Sequence, residues 1–219
     1  MKTIYHHLGL GDHIICNGLV RAVMGSGDYL LCKQHNLESV RFMFSDVNLE
    51  VIGVADDQAA KVFAKANNGY YIGYLHEDWN PNIGTFDKTF YEQAGVPFVE
   101  RWNNYRVRRD PDAEMAVRAA INPPFRYAFV HMDAARGMTF VPETNLPCVG
   151  PAPGLTRNIF DYQAVIRGAE EVHCLESAFM HMIDSMRETT FNSLHAYRSA
   201  RPATRFDIPA TMKNWTIHL

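Results

Sequence analysis

Two rhythms of apolar and polar positions alternate along the first 121 residues. Short β-type runs at Thr3 to Leu8, Tyr29 to Lys33, Leu49 to Val54 and Tyr70 to Leu75 are separated by stretches with helical spacing. After the first run Ile15, Leu19, Ala22 and Val23 fall on one helical face, and Gly25 with Gly27 stops that helix; Leu37 to Phe44 and Asp57 to Ala66 follow as helices. Strands alternating with helices build parallel sheets, because parallel neighbours need a crossover of helix length between them. Turn residues dominate Glu77 to Gly84. Phe86 to Ala94 then predicts a helix that ends at Gly95, and Asp110 to Ile121 predicts another.

The run Asn122, Pro123, Pro124 marks a boundary, since two prolines in series fit neither a helix interior nor a central strand. Beyond it the alternation resumes. Tyr127 to His131 reads as a strand, and Asn158 with Asp161 forms a capping pair ahead of a helix carrying Ile159, Tyr162 and Ile166 and closed by Gly168. Val172 to Leu175 is a short buried strand, Ser177 to Met186 a helix and Phe191 to Tyr197 a further strand. A basic tail from Arg198 to Arg205 is expected on the surface, followed by a last short run from Trp215 to Leu219. The Pro- and Gly-rich loop from Glu143 to Gly154 is long for a simple connection, which makes it a candidate functional loop. The pattern predicts an α/β protein with parallel sheets and leaves open whether it forms one domain or two.

Composition narrows the choice of partner. A net charge of −3 leaves no electrostatic footprint for nucleic acid, so any anion site is local. No stretch of eighteen apolar residues occurs, and the first ten residues hold a Lys and two His inside their apolar run, so neither a membrane span nor a signal peptide is expected. Four cysteines lie far apart without a CxxC pair, and reduced thiols in a cytoplasmic protein are the expectation. Ten histidines raise the question of a metal, especially with His6, His7 and His13 crowding the first turn. No HxxxH or HxH spacing brings in a third ligand, and neither a metal nor a cofactor is expected.

Two turns carry candidate chemistry. Gly9, Gly11 and Asp12 sit between the first strand and the first helix, at the carboxyl edge where parallel sheets bind ligands. The glycines allow close approach of a ligand, and the helix start offers N–H groups. Ile14 stands where a dinucleotide fingerprint has its third glycine, and no GK[ST] of a P-loop is present. Asp12 reads either as the cap of the first helix or as a general base at the mouth of a cleft, and the roles are compatible. In the second turn Glu176, Ser177 and Ala178 open a helix whose polar stripe of Ser177, His181 and Asp184 lies opposite an apolar face. Ser177 and the N–H groups after it can hold a phosphate, and Glu176 can bond a sugar hydroxyl; a capped surface helix with a solvated His181 is the plain alternative. Arg136, in the turn after the strand ending at His131, can reach a phosphate bidentately or remain a solvated charge.

Taken together, Gly9-Leu-Gly-Asp-His-Ile14, the His131 to Gly137 turn and Ala169-Glu-Glu-Val-His-Cys-Leu-Glu-Ser-Ala-Phe-Met-His181 resemble glycosyltransferases of the GT-B fold, specifically the heptosyltransferase-like family and its viral and bacterial relatives. The resemblance implies two small Rossmann-like lobes with parallel sheets and a cleft between them, the first an acceptor lobe at 1–108 with Asp12 as base. It implies a nucleotide-sugar lobe at 109–219, with Gly9, Gly11, His131, Arg136, Glu176, Ser177, Ala178 and His181 around the donor. The implied reaction is inverting, metal-independent transfer of a hexosyl or heptosyl unit from a nucleotide-diphosphate sugar to a glycan or other hydroxyl acceptor, with the diphosphate leaving into the Ser177 N–H groups and Arg136. A homo-oligomer is left open. The rival is a shortened, non-catalytic nucleotide or sugar-nucleotide binding protein. A nicotinamide oxidoreductase is opposed by the missing third glycine and by the lack of an acidic residue near Lys33.

Overall fold

The computed structural model describes residues 2–72, 86–187, 189–198 and 209–218. The turn-rich stretch from Glu77 to Gly84 and the tail from 199 to 205 lie outside the described residues. The chain divides into two compact units between Arg108 and Arg109, with residues 209 and 210 grouped with the first unit and the segment from Thr211 onward with the second. A linear split of the sequence does not anticipate that return.

The first unit runs β1 (Thr3–Tyr5), α1 (Leu10–Ile15), α2 (Asn17–Val23), β2 (Tyr29–Lys33), α3 (Leu37–Met43), β3 (Glu50–Val54), α4 (Asp57–Ala66), β4 (Gly69–Tyr71), α5 (Phe86–Gln93) and α6 (Glu100–Asn103). Its sheet has the order β3-β2-β1-β4, with every pairing parallel. Ile4, Leu30, Leu31 and Cys32 are buried in the two central strands, and Leu19, Val20, Val40 and Met43 are buried on the helices that follow them. At Gly69 a Cβ would lie 2.3 Å from that of Ala64, so only a glycine lets β4 pass this close to α4.

The second unit runs α7 (Pro111–Ile121), β5 (Ala128–His131), β6 (Cys148–Val149), α8 (Gln163–Arg167), β7 (Glu171–Leu175), α9 (Ala178–Ser185), β8 (Ser193–Tyr197) and β9 (Thr216–His218). The sheet order is β6-β5-β7-β8-β9, again parallel throughout. Asp110 caps α7 through the Ala113 N–H, with Pro111 in the first turn, and Asn122 ends the helix in a left-handed conformation ahead of the two prolines. Asn158 accepts from the Phe160 N–H and donates to Asp161, the local cap that the sequence spacing predicts. Inside the long loop the structure adds β6, a two-residue strand between Pro147 and Pro151 that pairs with Ala128 and Phe129. Two residues cannot display a period, so the sequence pattern does not reveal it.

Both units are thus α/β layers around parallel sheets, as the alternating pattern predicts. All four cysteines are free; Cys16, Cys32 and Cys174 are buried, and burial pushes the Cys32 thiol up to about 12. Among the described residues no helix is long and apolar enough to cross a membrane.

Candidate functional site

At the carboxyl edge of the first sheet the helix begins earlier than the sequence suggests. Gly9 is the N-cap and Asp12 the third residue inside α1, so the expectation that Asp12 itself caps the helix is corrected. The reason lies in the packing of one carboxylate. Gly9 has an extended backbone, φ −70 and ψ 144, that any residue adopts, but a Cβ there would lie 2.6 Å from Asp12 Oδ2. The glycine therefore leaves room for the Asp12 carboxylate in its present position, and a larger residue would turn that carboxylate aside rather than break the turn. Asp12 stays partly exposed, in the first turn where the helix dipole favours negative charge. Gly11 is the second helical residue, and the buried Asn36 donates from its side chain to the Leu8 carbonyl (3.0 Å), which pins the turn from a neighbouring element. Nothing local in the sequence marks Asn36 for that role.

Beneath this turn His6 and His13 are fully buried, their rings edge to face with centroids 4.3 Å apart. Burial lowers His6 to about 4 and His13 well below its ordinary value, so both are neutral at pH 7. His6 Nδ1 lies 2.7 Å from the His7 carbonyl, which assigns its proton to Nδ1. His6 and His13 are thus part of the core; among the described residues no group of three His, Cys, Asp or Glu is arranged to hold a metal ion.

In the second unit β5 and β7 lie side by side with His131 opposite Cys174, which brings the ends of both strands together. Ser177 occupies the N-cap of α9 with an extended backbone, yet its side chain makes no capping bond. Its Oγ lies instead 3.1 Å from His131 Nδ1. His131 rests on Phe179 (4.5 Å between centroids), which packs in turn against Phe129 and Tyr162. Burial lowers His131 to about 4, so it meets Ser177 as a neutral imidazole. Glu176 and Ala178 flank Ser177 and are partly exposed, and the Glu176 N–H donates to the Tyr197 carbonyl. The structure therefore brings His131, Glu176, Ser177 and Ala178 to one sheet edge.

Arg136 is paired within its own turn, and the open polar stripe expected on α9 is not found. Arg136 does not stand free: its Nε donates to Asp133 Oδ2 at 2.6 Å within the same turn, and its side chain is 74% exposed. Asp133, three residues back, caps the short helix that holds Arg136, and Gly137 closes it with φ 71. His181 and Asp184 form no open polar stripe, because both are buried. Asp184 accepts the backbone N–H groups of Met212 and Lys213 and the indole N–H of Trp215, all at 3.0–3.1 Å. The returning C-terminal segment covers the face that a helical wheel leaves to solvent.

No family model matches the chain, and no curated protein matches its sequence. Among solved structures, the crystal structure of a glycosyl transferase family 9 protein from Veillonella parvula aligns with 99% of this chain and 86% of its own, at TM-score 0.58 and 10% sequence identity. At that identity the likeness is one of fold. The chain has a GT-B-like α/β fold of two Rossmann-like units, each with its own parallel sheet.

Proposed function

We propose that the protein is a glycosyltransferase that takes its sugar from a nucleotide-diphosphate donor. The observation that carries the reading is Ser177. A serine at the cap of α9 whose hydroxyl turns to His131 leaves the first N–H groups of the helix for an anion, at the carboxyl edge where this class of sheet binds ligands. The fold likeness and the resemblance of the Gly9 to Ile14 and Glu176 to His181 segments support the same assignment. In this reading Asp12 removes the proton from an acceptor hydroxyl while the hydroxyl oxygen attacks the anomeric carbon. The bond to the diphosphate breaks with inversion, and the leaving charge is met by the α9 N–H groups and Arg136, without a metal. Glu176 binds a sugar or ribose hydroxyl.

A second reading, a binding protein that retains the donor site without transfer, is favoured by the tie of Arg136 to Asp133. A guanidinium already paired and largely exposed must exchange partners to meet a diphosphate. Titration calorimetry with UDP, GDP and ADP and with their nucleosides tests the role of this residue. Arg136→Ala is expected to weaken the diphosphate about tenfold and to leave the nucleoside unchanged, since a charge-assisted bond contributes about 1.5–3 kcal/mol. Equal losses for both ligands remove Arg136 from the phosphate site.

A further inference from the structure

A row of histidines crosses the second sheet on the face opposite Val172 and Cys174. Register places His173 beside His195, and His218 beside Tyr197 one pleat further on. The His173 and His195 rings are parallel within 2° at 4.5 Å, and His195 Nδ1 lies 2.9 Å from His218 Nε2. Tyr197 lies parallel to His218 at 4.3 Å and to Phe140 at 3.7 Å. Its hydroxyl is 3.0 Å from His173 Nδ1. The loop over residues 138–147 thus meets the row through Phe140 on Tyr197, and the edge strand β9 meets it through His218 as well as through its backbone ladder with β8.

We propose that His173, His195 and His218 form an acid-sensitive latch, which holds β9 and the 138–147 loop on the sheet when neutral and releases both when protonated. The hydrogen-bond arithmetic requires it. His173 Nε2 faces Glu171 Oε2 at 3.4 Å, and since a carboxylate only accepts, the ring proton sits on Nε2 and the tyrosine hydroxyl donates to a bare Nδ1. A proton on His173 Nδ1 reverses that bond and leaves the tyrosine hydrogen without its acceptor. The contact between His195 and His218 holds one proton between the two nitrogens, so the pair accepts one more charge and breaks on a second. Stacked imidazolium rings also repel.

The charged groups that face the row are Glu171 on β7 and Glu143 on the loop, and both favour the protonated forms. Burial is the larger influence and lowers His173 and His195; for His195 the neighbouring His173 and His218 lower it further. Release of the covering segments lifts the burial that lowers His173 and His195, so the released state binds more protons and the docked state loses stability as pH falls below about 6.5. Each histidine that takes its proton only on release shifts the equilibrium by up to about tenfold per pH unit.

Hydrogen exchange of the full chain at pH 7.5 and 5.5, corrected for intrinsic rates, reads the latch directly. Exchange in 216–218 and 138–147 is expected to rise about tenfold or more in acid while β5 and β7 remain protected. In the double variant His195→Gln and His218→Gln, which keeps hydrogen-bonding side chains that cannot charge, the acid response of 216–218 is expected to vanish, while that of 138–147, which runs through His173, is retained. If that variant is undocked at both pH values, NMR titration of the wild-type histidines decides: His173 and His195 titrating below 6.5 together with loss of β9 supports the latch. Independent titration near 6.5 with β9 retained overturns it, as does a flat wild-type exchange profile or an undiminished response of 216–218 in the docked variant.

Discussion

Asp12→Asn is expected to lower sugar transfer by roughly a hundredfold or more, the usual contribution of a positioned general base, while the protein stays folded and binds its donor. Asparagine has the shape of aspartate and still fits above Gly9, where the carboxylate sits 2.6 Å from a Cβ position. What it loses is the ability to take a proton. The helix-dipole contribution at this position is about 0.3–1 kcal/mol, so melting should move by only a few degrees. A steady-state transfer assay beside a melting curve separates the two effects. Transfer within a few-fold of wild type assigns Asp12 to the packing of the first turn alone.

The second large effect concerns stability. Asp87 is fully buried in α5 and forms an ion pair with Arg101 of α6, whose side chain is 2% exposed. Asp87 also accepts the Ala210 N–H, which fastens the returning segment to the first unit. Asp87→Ala removes a buried carboxylate from the Arg101 guanidinium, a loss of about 3–5 kcal/mol. For a chain of this size that is a fall in melting midpoint on the order of 10 °C. Adding Arg101→Met replaces the remaining charge with an apolar side chain and should recover most of the loss. Thermal denaturation of the single and double variants checks this, and a single variant within about 1 kcal/mol of wild type contradicts it.

The sheets were legible in the sequence because β-type runs and helical stretches alternate with a period that only parallel crossovers satisfy. The Asp12 and Ser177 turns were legible for the same reason, as both follow a strand and open a helix. Features that depend on distant residues were hidden. The wheel of α9 shows Asp184 on a polar face, and only the fold shows that Met212, 28 residues away, covers it. Asp87 and Arg101 carry no common periodicity, and their pairing exists only once α5 and α6 are formed. The tie of Arg136 has a local signal, because Asp133 three residues earlier is a turn-capping residue and its carboxylate is the partner found.

The central claim is that the helix start at Ser177 binds a nucleoside diphosphate through N–H groups and a guanidinium. The most direct measurement is a melting curve with UDP, GDP, ADP and NAD, each in EDTA and again in magnesium, for wild type and for Ser177→Phe. A ligand that binds only the folded state at a hundredfold above its dissociation constant stabilises it by about 2.7 kcal/mol, a shift of several degrees. The account predicts that at least one nucleoside diphosphate raises the wild-type midpoint in EDTA, that NAD does not, and that Ser177→Phe abolishes the shift. A shift with NAD alone, a shift that always requires magnesium, or an undiminished shift in Ser177→Phe would contradict it.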